Sequence, residues 1–362
     1  MKIAQVAPPW LPVPPKGYGG IEAVVSSLTD GLVSRGHDVT LFATGDSVTE
    51  AKLSFVYEKA LGNDGSLKNN PYTQLFQIYP VFSHCDQFDI IHIHGEGQAM
   101  FFADLIKTPL VHTIHGTLTE GEQNPDKRKV YQQFAKQNFV SISNAQRTGL
   151  PELNYVATVY NGIDLSQFTV GDGGGGLAHR RPGEGGYLAW LGRITPKKGV
   201  VEAIHVAKAV GVPLRLAAFI DPVDQAFFDT EIKPLIDGSS VQFVGQLNHQ
   251  ERSLFLQKAK AFVFPIKWEE PFGLVMVEAM AAGTPVVAFN RGSVPEIIMD
   301  GKTGYVVADV DSMAEALKRL LSLDAPTYQA MRQACRKHVE DHFTVEKMVE
   351  GYEAVYKKLT SI

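Results

Sequence analysis

Two glutamates eight positions apart, Glu270 and Glu278, enclose Pro271-Phe272-Gly273 and open the helix-forming run from Leu274 to Ala282. A loop that feeds its backbone N–H groups into a helix start between two acids is suited to binding phosphate. The first amides of a helix have no intrahelical partner, and the helix dipole favours negative charge there. Eight residues is a little over two helical turns, so Glu278 projects beyond the phosphate position, where it could accept hydrogen bonds from two ribose hydroxyls. The pattern has the shape of a nucleotide site. Arg193 and Lys198 flank a second helix start, in Gly192-Arg193-Ile194-Thr195-Pro196-Lys197-Lys198-Gly199, with Thr195 as its cap and Pro196 just inside it. On local sequence these are two solvated cations or an anion-binding pair. Gly19 and Gly20 close a long loop and would let backbone approach a ligand closely.

These groups must be positioned by alternating strands and helices. Lys2 to Ala7 reads as a buried strand, Ile21 to Ser34 has helical spacing of Ile21, Val24, Val25, Leu28 and Leu32, and Val39 to Ala43 is the next strand. Strand-like runs recur at 89–94, 109–114, 138–142 and 156–160, with helical material at 98–106 and 128–136. The alternation implies a parallel sheet wrapped by helices, with its ligand crevice at the carboxyl ends of the strands. His92, His94, His112 and His115 fall at those ends. No acidic or thiolate partner stands at a zinc-motif spacing beside them, so no metal is expected. A dinucleotide fingerprint is also rejected around Gly17 to Gly20, because the loop is too long and Glu22 stands where a third glycine belongs.

The second half repeats the pattern, with strands at 187–191, 214–220, 241–244, 261–264, 285–289 and 304–307. It forms another doubly wound sheet. Residues 171–186, holding Gly173 to Gly176 and Gly183 to Gly186, read as a linker between residues 1–170 and 187–343. Asn161-Gly162-Ile163-Asp164 reads as a tight turn. Asp309-Val310-Asp311 reads as entry to a helix with a capping box from Ser312 to Glu315, not as a metal site. From Met313 to Leu359 the chain is helical, with breaks near Pro326 and Phe343.

Composition narrows the class. A chain of 362 residues suggests two domains, and 44% hydrophobic residues suits a globular protein. A formal net charge of −5 argues against broad nucleic-acid binding, and two cysteines provide neither a disulfide framework nor a thiolate metal cluster. With no signal-peptide core or membrane span, a cytoplasmic protein is expected. Asp126-Lys127-Arg128-Lys129 and Lys136 form a basic cluster that reads as a solvated helix face, with an anionic acceptor or a membrane surface as the alternatives.

The Glu-x7-Glu pattern with Pro-Phe-Gly inside it continues into Glu278-Ala-Met-Ala-Ala-Gly-Thr-Pro-Val-Val-Ala288 and then Val294-Pro-Glu-Ile-Ile-Met-Asp-Gly-Lys-Thr-Gly304. This ordered run resembles the retaining glycosyltransferase family 4. The resemblance implies a GT-B fold, two Rossmann-like doubly wound parallel-sheet domains facing across a cleft, with the last helix, 344–362, packing back on the first domain. It implies transfer of a sugar from a nucleotide diphosphate donor, most simply a UDP- or GDP-sugar, to an acceptor hydroxyl with retention, by front-face substitution and without a metal or other cofactor. By the same resemblance Arg193 and Lys198 hold the diphosphate, Phe272, Gly273 and Leu274 add backbone contacts, Glu278 holds the ribose and Glu270 contacts the transferred sugar. His115, Gly19 and Gly20 then belong to the sugar site. Asn161 to Phe168 is similar to the family's exit from the first domain. Two alternatives remain: a nucleotide-sugar epimerase on the same fold, and a non-catalytic nucleotide-sugar binding protein. The sugar, base, acceptor and oligomeric state are not legible.

Overall fold

The computed structural model describes the whole chain except residues 63–64, 69, 96, 120–124, 172–185 and 361–362. Two compact units divide it: Met1–Gly162 with Val345–Ile362, and Ile163–Thr344. All but two residues of the Gly-rich stretch read as a linker lie outside the described residues.

The first unit holds a seven-stranded parallel sheet: β1 (Lys2–Val6), β2 (Asp38–Ala43), β3 (Lys52–Phe55), β4 (Ile90–Ile93), β5 (Leu110–Ile114), β6 (Asn138–Ser141) and β7 (Tyr155–Thr158), in the order β3-β2-β1-β4-β5-β6-β7. Strand order reverses between β1 and β4, which opens a crevice at their carboxyl ends. Strands β4 and β5 are buried throughout and read as continuous apolar runs interrupted only by His92, His112 and Thr113. Sequence periodicity missed β3, a half-exposed edge strand, and the helix Pro71–Ser83, whose Pro80 reads as a breaker. That helix is entered through Asn70, whose side chain accepts from the Tyr72 amide, with Pro71 in its first turn. The helix expected over 98–106 is only a 3-10 turn at Gly97–Ala99 followed by Met100–Ala103, and the one expected over 128–136 runs from Pro125 to Gln133.

The last helix, Val345–Thr360, belongs to this first unit. Its Tyr352 and Tyr356 are fully buried, and Arg35 and His37 after the first helix, Gly20–Ser34, bind Glu353 at 2.9 Å each. Gly31 makes this docking close, since a Cβ there would stand 2.6 Å from Val349 Cγ2.

The second unit holds a six-stranded parallel sheet: β8 (Leu188–Arg193), β9 (Leu214–Phe219), β10 (Val241–Gly245), β11 (Ala261–Phe264), β12 (Val286–Phe289) and β13 (Gly304–Val307), in the order β10-β9-β8-β11-β12-β13. Its switch point lies between β8 and β11. The segment after Thr195 is not one helix: Pro196–Lys198 is a 3-10 turn, Gly199 takes φ +70°, and the helix proper is Val200–Val210. The capping box expected from Ser312 to Glu315 sits three residues earlier. Asp309 accepts from the Ser312 amide while the Ser312 hydroxyl receives the Asp309 amide, because the helix begins at Val310.

Gly31→Leu is expected to force the last helix off the first, lowering stability by about 1–3 kcal/mol. Urea unfolding checks this, and an unchanged midpoint would contradict the close packing described.

Candidate active site

The second unit's switch point gathers most of the residues singled out by sequence. Arg193 ends β8, Lys198 lies in the turn after it, and Glu270 and Gly273 lie in the loop between β11 and the helix Leu274–Ala281. Two glycines let these loops touch. A Cβ on Gly199 would fall 1.9 Å from the carbonyl oxygen of Pro265, and one on Gly292 would fall 2.4 Å from the Glu270 nitrogen. Backbone bonds then fasten the Glu270 loop from both sides. The Lys267 amide donates to Lys197 O at 2.9 Å, and the Ser293 amide donates to Glu270 O at 2.9 Å. Ser293 Oγ donates to Phe272 O at 2.8 Å, and the Gly292 amide to Glu269 Oε2 at 2.6 Å.

Glu270 is 7% exposed. Its Oε2 accepts from Lys198 Nζ at 2.7 Å and from Trp268 Nε1 at 2.8 Å, while Lys198 Nζ also lies 4.9 Å from the centre of the Trp268 ring. One carboxylate oxygen is thus held by two donors, and both of these hydrogen bonds leave Oε1 aside. Lys198 has three donors and uses one on Glu270, which leaves hydrogen-bonding capacity for an anion.

Glu278 is 8% exposed in the helix that Gly273, at φ +80°, introduces. Its Oε1 accepts from Arg252 Nη1 at 2.8 Å, but its Oε2 is buried without a partner among the described residues, as is Arg252 Nε. An unsatisfied buried carboxylate oxygen costs about 1–3 kcal/mol, more when charged, and is a natural acceptor for a ligand hydroxyl. Sequence reading did not find Arg252. It comes from the helix His249–Gln257, and only tertiary packing brings it to Glu278.

Arg193, read from sequence as one of a pair of cations, is committed to two acids. Its Nε and Nη2 donate to Asp224 Oδ2 at 2.8 and 2.6 Å, and Nη1 lies 3.6 Å from Asp221 Oδ2. The register explains this: Arg193 pairs with Phe219 across β8 and β9, so the loop after β9 arrives beside it with both aspartates. Their sequence signal, Asp221-Pro222-Val223-Asp224, becomes legible only once β9 is known to neighbour β8.

In the first unit, Gly19 precedes the helix Gly20–Ser34, where a Cβ would meet Pro15 at 2.7 Å and Leu11 at 2.9 Å. His115 follows β5 and is half-buried. Its Nε2 lies 3.0 Å from His94 Nδ1, and His94 Nε2 lies 2.7 Å from Gln5 Oε1. Gln5 Nε2 donates to the Tyr356 hydroxyl at 2.8 Å, which lies 2.7 Å from His92 Nδ1. His92 Nε2 is 2.7 Å from Thr113 Oγ1, itself 3.0 Å from the Tyr352 hydroxyl. His112 faces Gln137 Oε1 at 3.0 Å, away from this line. Burial pushes all four imidazoles down, His112 and His115 to about 4 and His92 and His94 well below their ordinary value. Arg128 of the basic cluster is not part of a solvated face, because its Nη1 donates to Leu118 O at 2.5 Å and to Gly149 O at 2.6 Å. No group of three or more His, Cys, Asp or Glu residues is arranged to hold a metal among the described residues. No described helix is long and apolar enough to cross a membrane.

Two Rossmann-like parallel sheets with this loop constellation define the GT-B class of glycosyltransferases. The family model for glycosyl transferases group 1 matches residues 178–338, and that for glycosyltransferase family 4 matches residues 18–167. A glycogen synthase of Mycobacterium tuberculosis is 27% identical over 95% of this chain and 92% of its own length. A D-inositol 3-phosphate glycosyltransferase of Mycobacterium avium is 30% identical over 76% of this chain and 71% of its own. Among solved structures, AviGT4, a glycosyltransferase involved in avilamycin A biosynthesis, is 25% identical with a TM-score of 0.72, covering 99% of this chain and 98% of that one. The chain belongs to glycosyltransferase family 4.

Two outcomes test the site's construction. Gly199→Ala, which sets a Cβ against a backbone carbonyl at positive φ, should cost roughly 2–4 kcal/mol in urea unfolding, and an unchanged midpoint would contradict the loop contact. The second concerns pH. The buried histidines are neutral in the folded protein, so between the ordinary histidine value of 6.5 and about 4 the unfolded chain binds more protons. Stability that is full above that window is lost as pH falls through it, by up to about 1.4 kcal/mol per pH unit for each histidine. His112→Gln should therefore show a shallower fall between pH 7 and pH 5 than the wild type, and equal slopes would contradict the assignment.

Proposed function

We propose that this glycosyltransferase moves a sugar from a nucleotide diphosphate donor to an acceptor hydroxyl, with retention at the anomeric carbon. The observation that carries the reading is the buried, orphaned Oε2 of Glu278, together with Glu270, whose hydrogen bonds all fall on Oε2, on either side of the Gly273 helix start. A diphosphate takes the amides at Phe272, Gly273 and Leu274, where the helix dipole is positive. Glu278 Oε2 accepts from the ribose, with Arg252 fixing its rotamer. Glu270 Oε1 accepts from a hydroxyl of the transferred sugar, and Lys198 reaches the distal phosphate from its post on Glu270.

Arg193, steered by Asp224, adds the second cation. As the leaving phosphate departs it gains charge, and cations already held in place stabilise that charge without reorganising. The departing phosphate takes the acceptor proton, so the reaction needs no enzyme nucleophile, and rate enhancement rests on positioning. His115, Gly19 and Gly20 of the first unit are proposed as sugar contacts on the family resemblance. A UDP- or GDP-sugar is the donor expected, and the acceptor is a hydroxyl compound. The epimerase alternative is less well supported, because Lys198 and Arg193, each set beside a carboxylate, suit a diphosphate leaving group better than proton transfer on a released glycal.

The test is calorimetry with UDP-, GDP-, ADP- and TDP-sugars, without added metal, on the wild type and on Glu278→Ala. One donor should bind, and the variant should bind it about ten- to a hundred-fold more weakly, the loss of hydrogen bonds to a charged group. No binding of any donor, or equal binding by the variant, would overturn the reading. Lys198→Met should lower kcat more than donor affinity, since its contact strengthens as the phosphate leaves. A change confined to KM would contradict that role.

A further inference from the structure

The buried polar line in the first unit makes a definite statement about the protons on His115. Gln5 is completely buried, as are His92, Tyr352 and Tyr356, and His94 is nearly so. The Gln5 amide turns its nitrogen to the Tyr356 hydroxyl and its oxygen to His94 Nε2. A carbonyl oxygen only accepts, so His94 Nε2 carries a proton. His94 is a neutral imidazole in this apolar setting and has one ring proton, which leaves its Nδ1 as a lone pair. His115 Nε2, 3.0 Å from that lone pair, must donate. His115 is then the Nε2–H tautomer, and its Nδ1 carries the lone pair, an acceptor outside the bond to His94.

Gln5 also sets the donors on its other side. Tyr356 accepts from Gln5 Nε2, so its own proton goes to His92 Nδ1, and His92 donates from Nε2 to Thr113 Oγ1. The last helix thereby holds the amide orientation that fixes the histidines. The line spans three strands: β1 through Gln5, β4 and its end through His92 and His94, and β5 and its end through Thr113 and His115.

We propose that Gln5 is a positioning residue that, through His94, holds His115 as the Nε2–H tautomer and so presents Nδ1 as an acceptor for a substrate hydroxyl. The use of that acceptor on a sugar rests on the function proposed above, but the tautomer does not. A protonated or Nδ1–H histidine would offer a donor at the same place and would fit a phosphate or carbonyl oxygen instead. Burial keeps His115 neutral across the physiological range, with its pKa pushed down to about 4.

Long-range proton–nitrogen correlation spectra of the full, nitrogen-15-labelled chain at pH 7 read the tautomer directly, with His115→Gln assigning the signal. The expected result is a protonated Nε2 and an unprotonated Nδ1 at His115. Gln5→Glu, whose carboxylate still accepts from His94, should keep that pattern, and Gln5→Leu should let His115 populate both tautomers. An Nδ1–H signal in the wild type would overturn the proposal by showing the reverse amide orientation, as would a pattern unmoved in Gln5→Leu. The wild-type spectrum decides even where Gln5→Leu does not fold. On the transferase reading, Gln5→Leu should lower kcat about ten-fold, one hydrogen bond's worth, with nucleoside diphosphate affinity unchanged. Loss of turnover with an unmoved tautomer would separate a failure of the proposal from a failure of that reading.

Discussion

Two buried carboxylates, each held by a single cation from another element, organise the second unit's switch point: Glu270 on Lys198 and Glu278 on Arg252. Buried ion pairs are weak devices for stability, because desolvation offsets most of the attraction. Their value here is in position. Each fixes a carboxylate rotamer while leaving one oxygen without a protein hydrogen bond, so on the proposed function the acceptors are in place before a ligand arrives. The arrangement depends on backbone that side chains would exclude. Gly199 and Gly292 let the loops after β8 and β12 close on the loop after β11, and Gly273 turns that loop into its helix.

The first unit solves a similar problem with neutral groups. Its switch-point strands carry Gln5, His92 and Thr113 inward, positions that an all-apolar sheet would give to valine or isoleucine. The cost of burying them is met by one continuous set of hydrogen bonds that the last helix completes through Tyr352 and Tyr356. Chain ends distant in sequence are therefore coupled: the helix nearest the C-terminus holds residues in the first strand and at the ends of the fourth and fifth.

Much of this was legible in the sequence because local signals agreed with the fold. Alternating strand and helix patterns gave two doubly wound sheets, and the run from Glu270 to Gly304 singled out the loop and helix start that the structure places at the second switch point. The failures have physical causes. Pro80 concealed the helix Pro71–Ser83, since a proline in a helical pattern argues for a break that the surrounding packing overrides. Gly199 divided a helix that Thr195 and Pro196 seemed to start. Arg252, Asp221 and Asp224 lie far in sequence from the groups they pair with, and only strand order brings them there. Arg128 looked like a surface charge but ties two loop carbonyls. His94, one of four histidines at the strand ends, carries no local signal of its role. Its role became visible only when the acceptor on Gln5 was seen to dictate which ring nitrogen carries the proton.

The most direct measurement is a crystal structure of the protein grown with the nucleoside diphosphate that calorimetry selects. The expected density has its phosphates at the amides of Phe272, Gly273 and Leu274, its distal phosphate within reach of Lys198 and Arg193, and its ribose hydroxyls on Glu278 Oε2. Nucleotide density elsewhere, with Glu278 Oε2 still unpartnered, would contradict the assignment of this helix start as the donor site.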